Sequence, residues 1–331
     1  MTSLSTAATA TVTTTVTMAI LMVVIMSNLR SCRSCFLIPV LQRRQFHNKS
    51  KLRVVDRQQQ QQQHQLHGTQ YTIDCPPTDP ETLRTIVQKH STQLDRWLEN
   101  KPIAEHTRRA FDLLDLSKHH QNTKIILDNG CGTGRSSVLL AKKYPDHLVI
   151  GIDQSLVRLN RNVIYRKQSP LDDVNNINNN NNDDNEPLVQ RIPDQPNLRL
   201  VRAEVTDFWR CCLHAQLDIS RQYLLYPNPY PKKARVKSRW YAHPSFPLIF
   251  QLGGEAIIVK SNWNLYLQEF CQSVEYMQQD NAVLPYLASA KQGPVERTDK
   301  TIAWTNFEKK YDDCGEQTYE LVLERCPPTL C

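Results

Sequence analysis

Residues Lys124–Ser137 read KIILDNGCGTGRSS, and this stretch decides the fold. An apolar run ends in Asp128, glycines follow at 130, 132 and 134, and small polar residues open a helix. A buried strand running into a glycine turn and then a helix is the first unit of an α/β sheet that binds ligands beyond its strand carboxyl ends. The spacing separates two ligand classes. A dinucleotide fingerprint sets its third glycine three residues after the second. Here Gly134 follows Gly132 by two, and an acid precedes Gly130. A carboxylate in that place repels a pyrophosphate and suits a nucleoside bearing ammonium and sulfonium groups. A dehydrogenase is therefore a distant reading.

Downstream, strand and helix patterns alternate, which predicts a mostly parallel sheet with crossover helices. Strands are expected at Lys124–Leu127, Leu148–Ile152, Leu198–Arg202, Gln222–Tyr226, Glu255–Lys260 and Tyr319–Glu324. The second ends in HLVIGID and offers Asp153, whose carboxylate suits ribose hydroxyls. The third, NLRLVRAEV, delivers Glu204 and Val205 to the same edge, where an acid suits the adenine amino group. Upstream, TDPETLRTIVQ predicts a helix with Thr78 as N-cap and Glu81 three residues on. A second helical stretch covers Ala104–Leu116.

After the fourth strand comes YPNPYP, Tyr226–Pro231, which continues as neither helix nor strand because three prolines fix φ and withhold donors. Aromatics on such a rigid turn make a platform for a base. Lys232, Lys233, Arg235, Lys237 and Arg239 then place five positive charges in eight residues. Trp240 and Trp263 divide evenly between base stacking and core packing, and His243 between phosphate binding and packing.

Three segments, YLLYPNPYPKKARVKSRW (Tyr223–Trp240), LGGEAIIVKSNWNLYLQEF (Leu252–Phe270) and WTNFEKKYDDCGEQTYELVLER (Trp304–Arg325), resemble the bacterial-type tRNA (guanine-N7-)-methyltransferase family. With DNGCGTG and GIDQS, the resemblance spans about Thr123–Arg325. It implies a Rossmann-like class I methyltransferase with a seven-stranded, mostly parallel sheet and helices on both faces. The implied cofactor is S-adenosyl-L-methionine, held by Asp128, Gly130, Gly132, Gly134, Asp153, Glu204, Val205 and Asn228. Asn228 and Lys232 take the catalytic positions. Lys232, Lys233, Arg235, Asn262, Thr305 and Glu308 take those of substrate binding. The chain departs from the family twice: Asn228 stands for the aspartate of the proline loop, and Asn262, after Ser261, for that of a Thr-Asp pair. Guanine N7 carries a free lone pair, so its methylation requires alignment and charge stabilisation rather than a general base. An asparagine oxygen still accepts from guanine N1–H or N2–H, while the lost negative charges weaken stabilisation of the methylated base.

Length, charge and low-complexity segments frame these motifs. The net charge of +7 over 331 residues misleads as a whole. Arg30, Arg33, Arg43, Arg44, Lys49, Lys51 and Arg53 precede the first acid, Asp56, and residues 56–331 carry 33 charges of each sign. Affinity for tRNA, the expected partner, thus requires a local patch rather than bulk charge. Residues 1–55 read as a targeting leader: an acid-free, Thr-rich stretch with the apolar run Met18–Met26, then basic residues. That run is shorter than a spanning helix requires. Import into a plastid or mitochondrion is the expectation, with a cytoplasmic or membrane-anchored protein second. Residues 56–68 form a Gln-rich linker. The catalytic domain is expected over 69–331, with a helical part at 78–116 and an Asn-rich disordered insert at 170–195. Ten cysteines, with only Cys32 and Cys35 as a close pair, give neither a disulfide framework nor a zinc site. No metal and no stable membrane partner are expected, and the oligomeric state is a monomer or homodimer.

Two further readings remain open. Asn228-Pro229-Tyr230 is similar to the loop of amino-group methyltransferases, one proline short, which points to an exocyclic amine acceptor. The two missing carboxylates point instead to a non-catalytic RNA-binding subunit that keeps the fold.

Overall fold

Strand β1 (Ile125–Asn129) is buried at all five positions and sits inside the sheet, pairing in parallel with β2 (Leu148–Asp153) on one side and β5 (Ile219–Leu225) on the other. A strand covered on both faces takes a continuous apolar run rather than an alternating one, which is what IIL supplies. The computed structural model describes residues 75–116, 123–161, 188–278 and 285–326. The leader, the linker and the insert up to residue 187 lie outside the described residues.

The sheet has eight strands in the order β3-β4-β2-β1-β5-β6-β8-β7. β4 is Gln195–Arg202, β6 Ala256–Ser261 and β8 Tyr319–Glu324; β1, β2, β4, β5 and β6 run parallel, and β8 is antiparallel to β6. The chain winds outward from β1 through β2 to β4, then crosses back to β5 and β6. The order therefore reverses beside β1, and the crevice at that reversal is where such sheets hold ligands.

The expected count of seven is corrected to eight, and the predicted insert ends earlier than residue 195. β3 (Val189–Ile192) lies within it and pairs antiparallel with β4, joined by the two residues Pro193 and Asp194. Ile192 packs in one buried cluster with Leu198 and Leu200, and Leu188 in another with Val201, so this end of the insert has an apolar face to bury. The two-residue strand β7 (Val295–Glu296), paired with β8, was also not foreseen.

Helices cover both faces. α4 (Arg135–Lys143) follows β1, the short α5 (Leu156–Leu159) follows β2, and α6 (Val205–His214) follows β4. α7 (Phe246–Leu252) and α8 (Asn264–Gln278) flank β6; α9 (Leu287–Gln292) and α10 (Asn306–Asp313) precede β8. Gly151 in β2 lets α4 approach the sheet: a Cβ there would stand 2.3 Å from Ser137 Oγ and 2.8 Å from a Leu200 methyl.

The N-terminal helices α1 (Pro80–Thr92), α2 (Leu94–Asn100) and α3 (Glu105–Leu113) pack onto this body. The cap of α1 is Asp79, not Thr78: its carboxylate accepts from Thr82 N at 2.9 Å, and Pro80 fits the first helical position, which needs no donor. Thr78 instead gives its backbone N–H to Glu269 Oε1 of α8 at 2.6 Å. Glu269 also binds Arg239, at 2.9 Å, and Tyr241, so the N-terminal arm is pinned by a buried ion pair. A pair that deep holds only because its remaining polar atoms are satisfied. Tyr230 O, 3.2 Å from Arg239 Nη2, and the Trp263 ring, 4.8 Å away, complete the guanidinium's shell.

Candidate active site

A cleft of about 450 Å³ opens at the reversal of strand order. Its floor is Asn129 and Gly130 at the end of β1, Asp153 and Gln154 at the end of β2, and Leu225 at the end of β5. One wall is Lys101, Glu204, Val205 and Thr206; the other is the proline loop with Tyr226, Asn228 and Tyr230, followed by Ser238, Trp240 and His243. Parallel strands end here together, so side chains just past them converge. The volume lies in the range of small-molecule sites.

The glycine turn is a backbone device. Gly130, Gly132 and Gly134 have φ of 77°, 62° and 74°, the left-handed region that costs other residues strain. A Cβ on Gly130 or Gly132 would meet nothing within 4 Å, so conformation and not crowding demands glycine there. Gly134 then caps α4. The turn hangs on β2: Gly130 N and Cys131 N both donate to Ile152 O, at 2.8 and 2.9 Å.

Asp153 is buried and stands at the centre of the floor. Its Oδ2 accepts from Gly132 N at 3.0 Å, its Oδ1 from Ser155 N at 2.7 Å, and Arg158 Nη2 lies 3.0 Å from Oδ1. A carboxylate has about four lone-pair sites, so acceptor capacity remains for a ribose diol. Arg158 also lines the cleft, half exposed. Its place in the first helical turn after Asp153 was a signal available in GIDQSLVR.

Glu204 has two duties. Its Oε2 caps α6 by accepting from Asp207 N at 2.8 Å, binds Thr206 Oγ1, and lies 3.4 Å from Lys101 Nζ. Oε1 has none of these partners and is the acceptor it offers to an amino group. Val205 follows on the same wall.

Asp128 departs from expectation. It is fully buried and does not line the cleft. Its Oδ2 accepts from Ser136 and Ser137 Oγ, both at 2.6 Å, at the start of α4. Burial raises its carboxyl to about 6, against the lowering by the two serines, and the Asp153 charge adds to the rise. Through those serines it braces the glycine turn against the start of α4. Its neighbour Asn129 does reach the cleft: Oδ1 accepts from Trp209 Nε1 at 2.7 Å, while the buried Nδ2 has no partner among the described residues. An orphaned buried donor costs about 1–3 kcal/mol until something accepts from it. A nucleoside carrying hydroxyl and carboxylate oxygens fits this cleft.

The proline loop is strained as well as rigid. Tyr226 and Tyr230 have φ of 54° and 43°, uncommon for bulky residues and doubly so before Pro227 and Pro231. Asn228 Oδ1 accepts from Tyr230 N at 3.2 Å. A backbone N–H only donates, which fixes the amide orientation: the atom facing Tyr230 N is the oxygen, and the other is the donor Nδ2. Oδ1 carries a second lone pair and still has an acceptor site to offer.

The base-pocket residues implied by resemblance do not converge on the cleft. Lys232 stands at the N-cap position of a 3₁₀ turn (Lys233–Ser238), exposed beside the cleft lining rather than in it. Lys232, Lys233, Arg235 and Lys237 form a basic surface next to the cleft, Arg235 lying 5.2 Å from the Tyr230 ring centroid. Arg239 leaves the set, being core. Asn262 is half-buried past β6, and Trp263 is core. Thr305 caps α10 through Glu308 N at 3.0 Å. Glu308 is fully buried and already spent: it binds Trp304 N and Tyr226 OH, with Lys260 Nζ and Arg297 Nε each 3.3 Å away. These two residues lock the Trp304–Asp313 segment under the proline loop. Lys101, from the N-terminal arm, had no signal in its surroundings.

No metal-holding cluster of His, Cys, Asp or Glu occurs among the described residues, and among them no helix is long and apolar enough to cross a membrane.

No curated protein matches the sequence. Among solved structures, the chain is similar to a mutant 16S rRNA (adenine(1408)-N(1))-methyltransferase from Catenulisporales acidiphilia with cosubstrate SAM, at 13% identity over 76% of this chain and 94% of that one, TM-score 0.37. It is similar also to the 16S rRNA methyltransferase KamB, at 13% identity over 69% and 96%, TM-score 0.34. A third is the antibiotic-resistance methyltransferase Kmr, at 19% identity over 65% and 92%, TM-score 0.32. The model of a family described as "Putative methyltransferase" matches residues 122–321, which carry the glycine turn, the floor and the proline loop. The chain belongs to that family, the tRNA guanine-N7 methyltransferases, and its methyl donor is S-adenosylmethionine.

Proposed function

We propose that the chain methylates N7 of a guanine in tRNA. One observation carries the reading: the loop that walls the cleft runs directly into the exposed basic turn Lys232–Lys237, on a body whose charges balance only with that turn included. Phosphates bound on that turn bring a nucleotide of the same strand to the cleft mouth, since backbone contacts position and pockets select.

The cofactor supplies a methyl group on a positively charged sulfur. Asp153, Glu204 Oε1 and Asn129 Nδ2 are the groups that would hold it. Trp240 offers a face for the base, packed against Trp209 at 5.0 Å and so fixed in place. N7 needs no proton removed, so the site requires no general base. Its work is to align the lone pair and to exclude water with Leu225, Tyr230 and Trp240.

The test is nucleoside mass spectrometry after incubating the full chain with unmodified tRNA and methyl-labelled cofactor. Labelled 7-methylguanosine supports the reading; label in any other nucleoside, or none, refutes it.

A further inference from the structure

His243 is the one imidazole on the cleft wall, and its ring chemistry is fixed by its neighbours. Nδ1 lies 2.7 Å from Ser245 Oγ and 3.2 Å from Ser245 N. The backbone N–H has only a proton to give, so Nδ1 is the acceptor and the ring proton sits on Nε2. Ser245 is wholly buried, which holds this arrangement in place. Two indoles grip the imidazole edge-on, Trp97 at 5.6 Å and Trp240 at 6.1 Å between centroids. Burial lowers its pKa to about 4, helped by the charges of Lys101 and His90 and opposed by Glu204. At neutral pH the ring is therefore uncharged and owns one donor, Nε2–H, with no partner among the described residues.

We propose that His243 is a specificity-determining residue, whose Nε2–H donates to the carbonyl oxygen that guanine carries beside N7. The idea rests on the guanine reading above. Guanine presents O6 next to N7 on this edge, both acceptors, whereas adenine presents an amino donor there. N7 must keep its lone pair for the methyl group, so O6 is the partner left. Adenine would set donor against donor in a part-buried site and leave Nε2–H unpaired, the kind of mismatch that gives strong discrimination. Asn228, on the same wall, carries a second donor in its Nδ2 where the family's pattern has a carboxylate.

Two measurements on the full chain test this. Selective ¹⁵N labelling of histidine, with His243→Gln to assign the signal, should show His243 protonated at Nε2 at pH 7.5. A proton on Nδ1, or titration near the ordinary value, overturns the proposal. Second, kcat/KM is compared on tRNA whose target is guanine or an analogue keeping N7 but lacking the 6-oxygen. Wild type should lose about tenfold or more on the analogue. His243→Phe should lose as much on guanine and become indifferent to the 6-oxygen, with cofactor affinity unchanged. His243→Gln, which keeps an N–H donor, should regain most of it. Labelled guanine from a wild type blind to the 6-oxygen overturns the role of His243 alone. Absence of labelled guanine from wild type overturns the guanine reading and this role with it.

Discussion

Asp128→Asn should make the protein more stable at neutral pH, and by an amount set by pH. The carboxyl sits against apolar strands with one oxygen, Oδ1, lacking any partner among the described residues, and burial lifts it from 3.8 to about 6. A raised carboxyl binds its proton more tightly folded than unfolded. The unfolded chain therefore sheds the proton first as pH rises, and the fold pays for keeping it. Stability is full below 3.8 and declines until the folded group ionises near 6. The shift of about two units corresponds to about 3 kcal/mol. Asparagine is nearly isosteric, carries no charge and keeps an oxygen for Ser136 and Ser137; its amide nitrogen takes the place of the unpartnered Oδ1, a pH-independent cost of about 1 kcal/mol or more that trims the gain. Urea unfolding of both proteins between pH 5 and 8 is the assay. The variant should gain on wild type across pH 5 to 6.5, then hold an advantage of about 1–3 kcal/mol. Parallel curves, or a variant weaker by a constant amount, would refute a buried carboxyl with a raised pKa.

Other expectations concern separate parts of the molecule. Asp153→Ala should weaken S-adenosylmethionine binding about tenfold or more in equilibrium dialysis, through loss of a charge-assisted bond; equal affinity would dismiss the ribose role. Asp128→Asn in the same experiment should bind nearly as well as wild type, because Asp128 does not line the cleft. Charge reversal at Lys232, Lys233 and Arg235 should flatten the log–log salt dependence of tRNA binding by about 2, as single-stranded contacts contribute about 0.7 each. An unchanged slope would make that turn mere surface. Glu308→Ala should cost about 3 kcal/mol in denaturant unfolding by stranding Lys260 and Arg297; a loss under 1 kcal/mol would mean that Glu320 and Asp312 compensate fully.

Those parts of the fold that follow from local pattern were legible. β8 matches its expected bounds, and the parallel order follows from alternating apolar runs and helices. β3 was not, because an asparagine-rich neighbourhood hides four residues whose strand character comes from pairing with β4. Of the site, Asp153 and the glycine turn were readable because their roles depend on strand ends and backbone conformation, which sequence encodes nearby. Asp128 and Glu308 look in the sequence like ligand carboxylates. Only the surroundings show Asp128 spent on two serines and Glu308 on two cations. Lys101 was invisible for a related reason: its partners Glu204 and Thr206 lie 103 and 105 residues away.

The same separation says something about how the catalyst comes into being. The family match starts at residue 122, yet Lys101 precedes it and lines the cleft, and Trp97 packs behind that wall on the His243 ring. An excised stretch that contained every recognisable motif would open that side to solvent, freeing the His243 ring and uncovering Glu204. The cleft therefore extends beyond the matched stretch, and its wall is complete only once α1–α3 dock on a sheet that is translated after them.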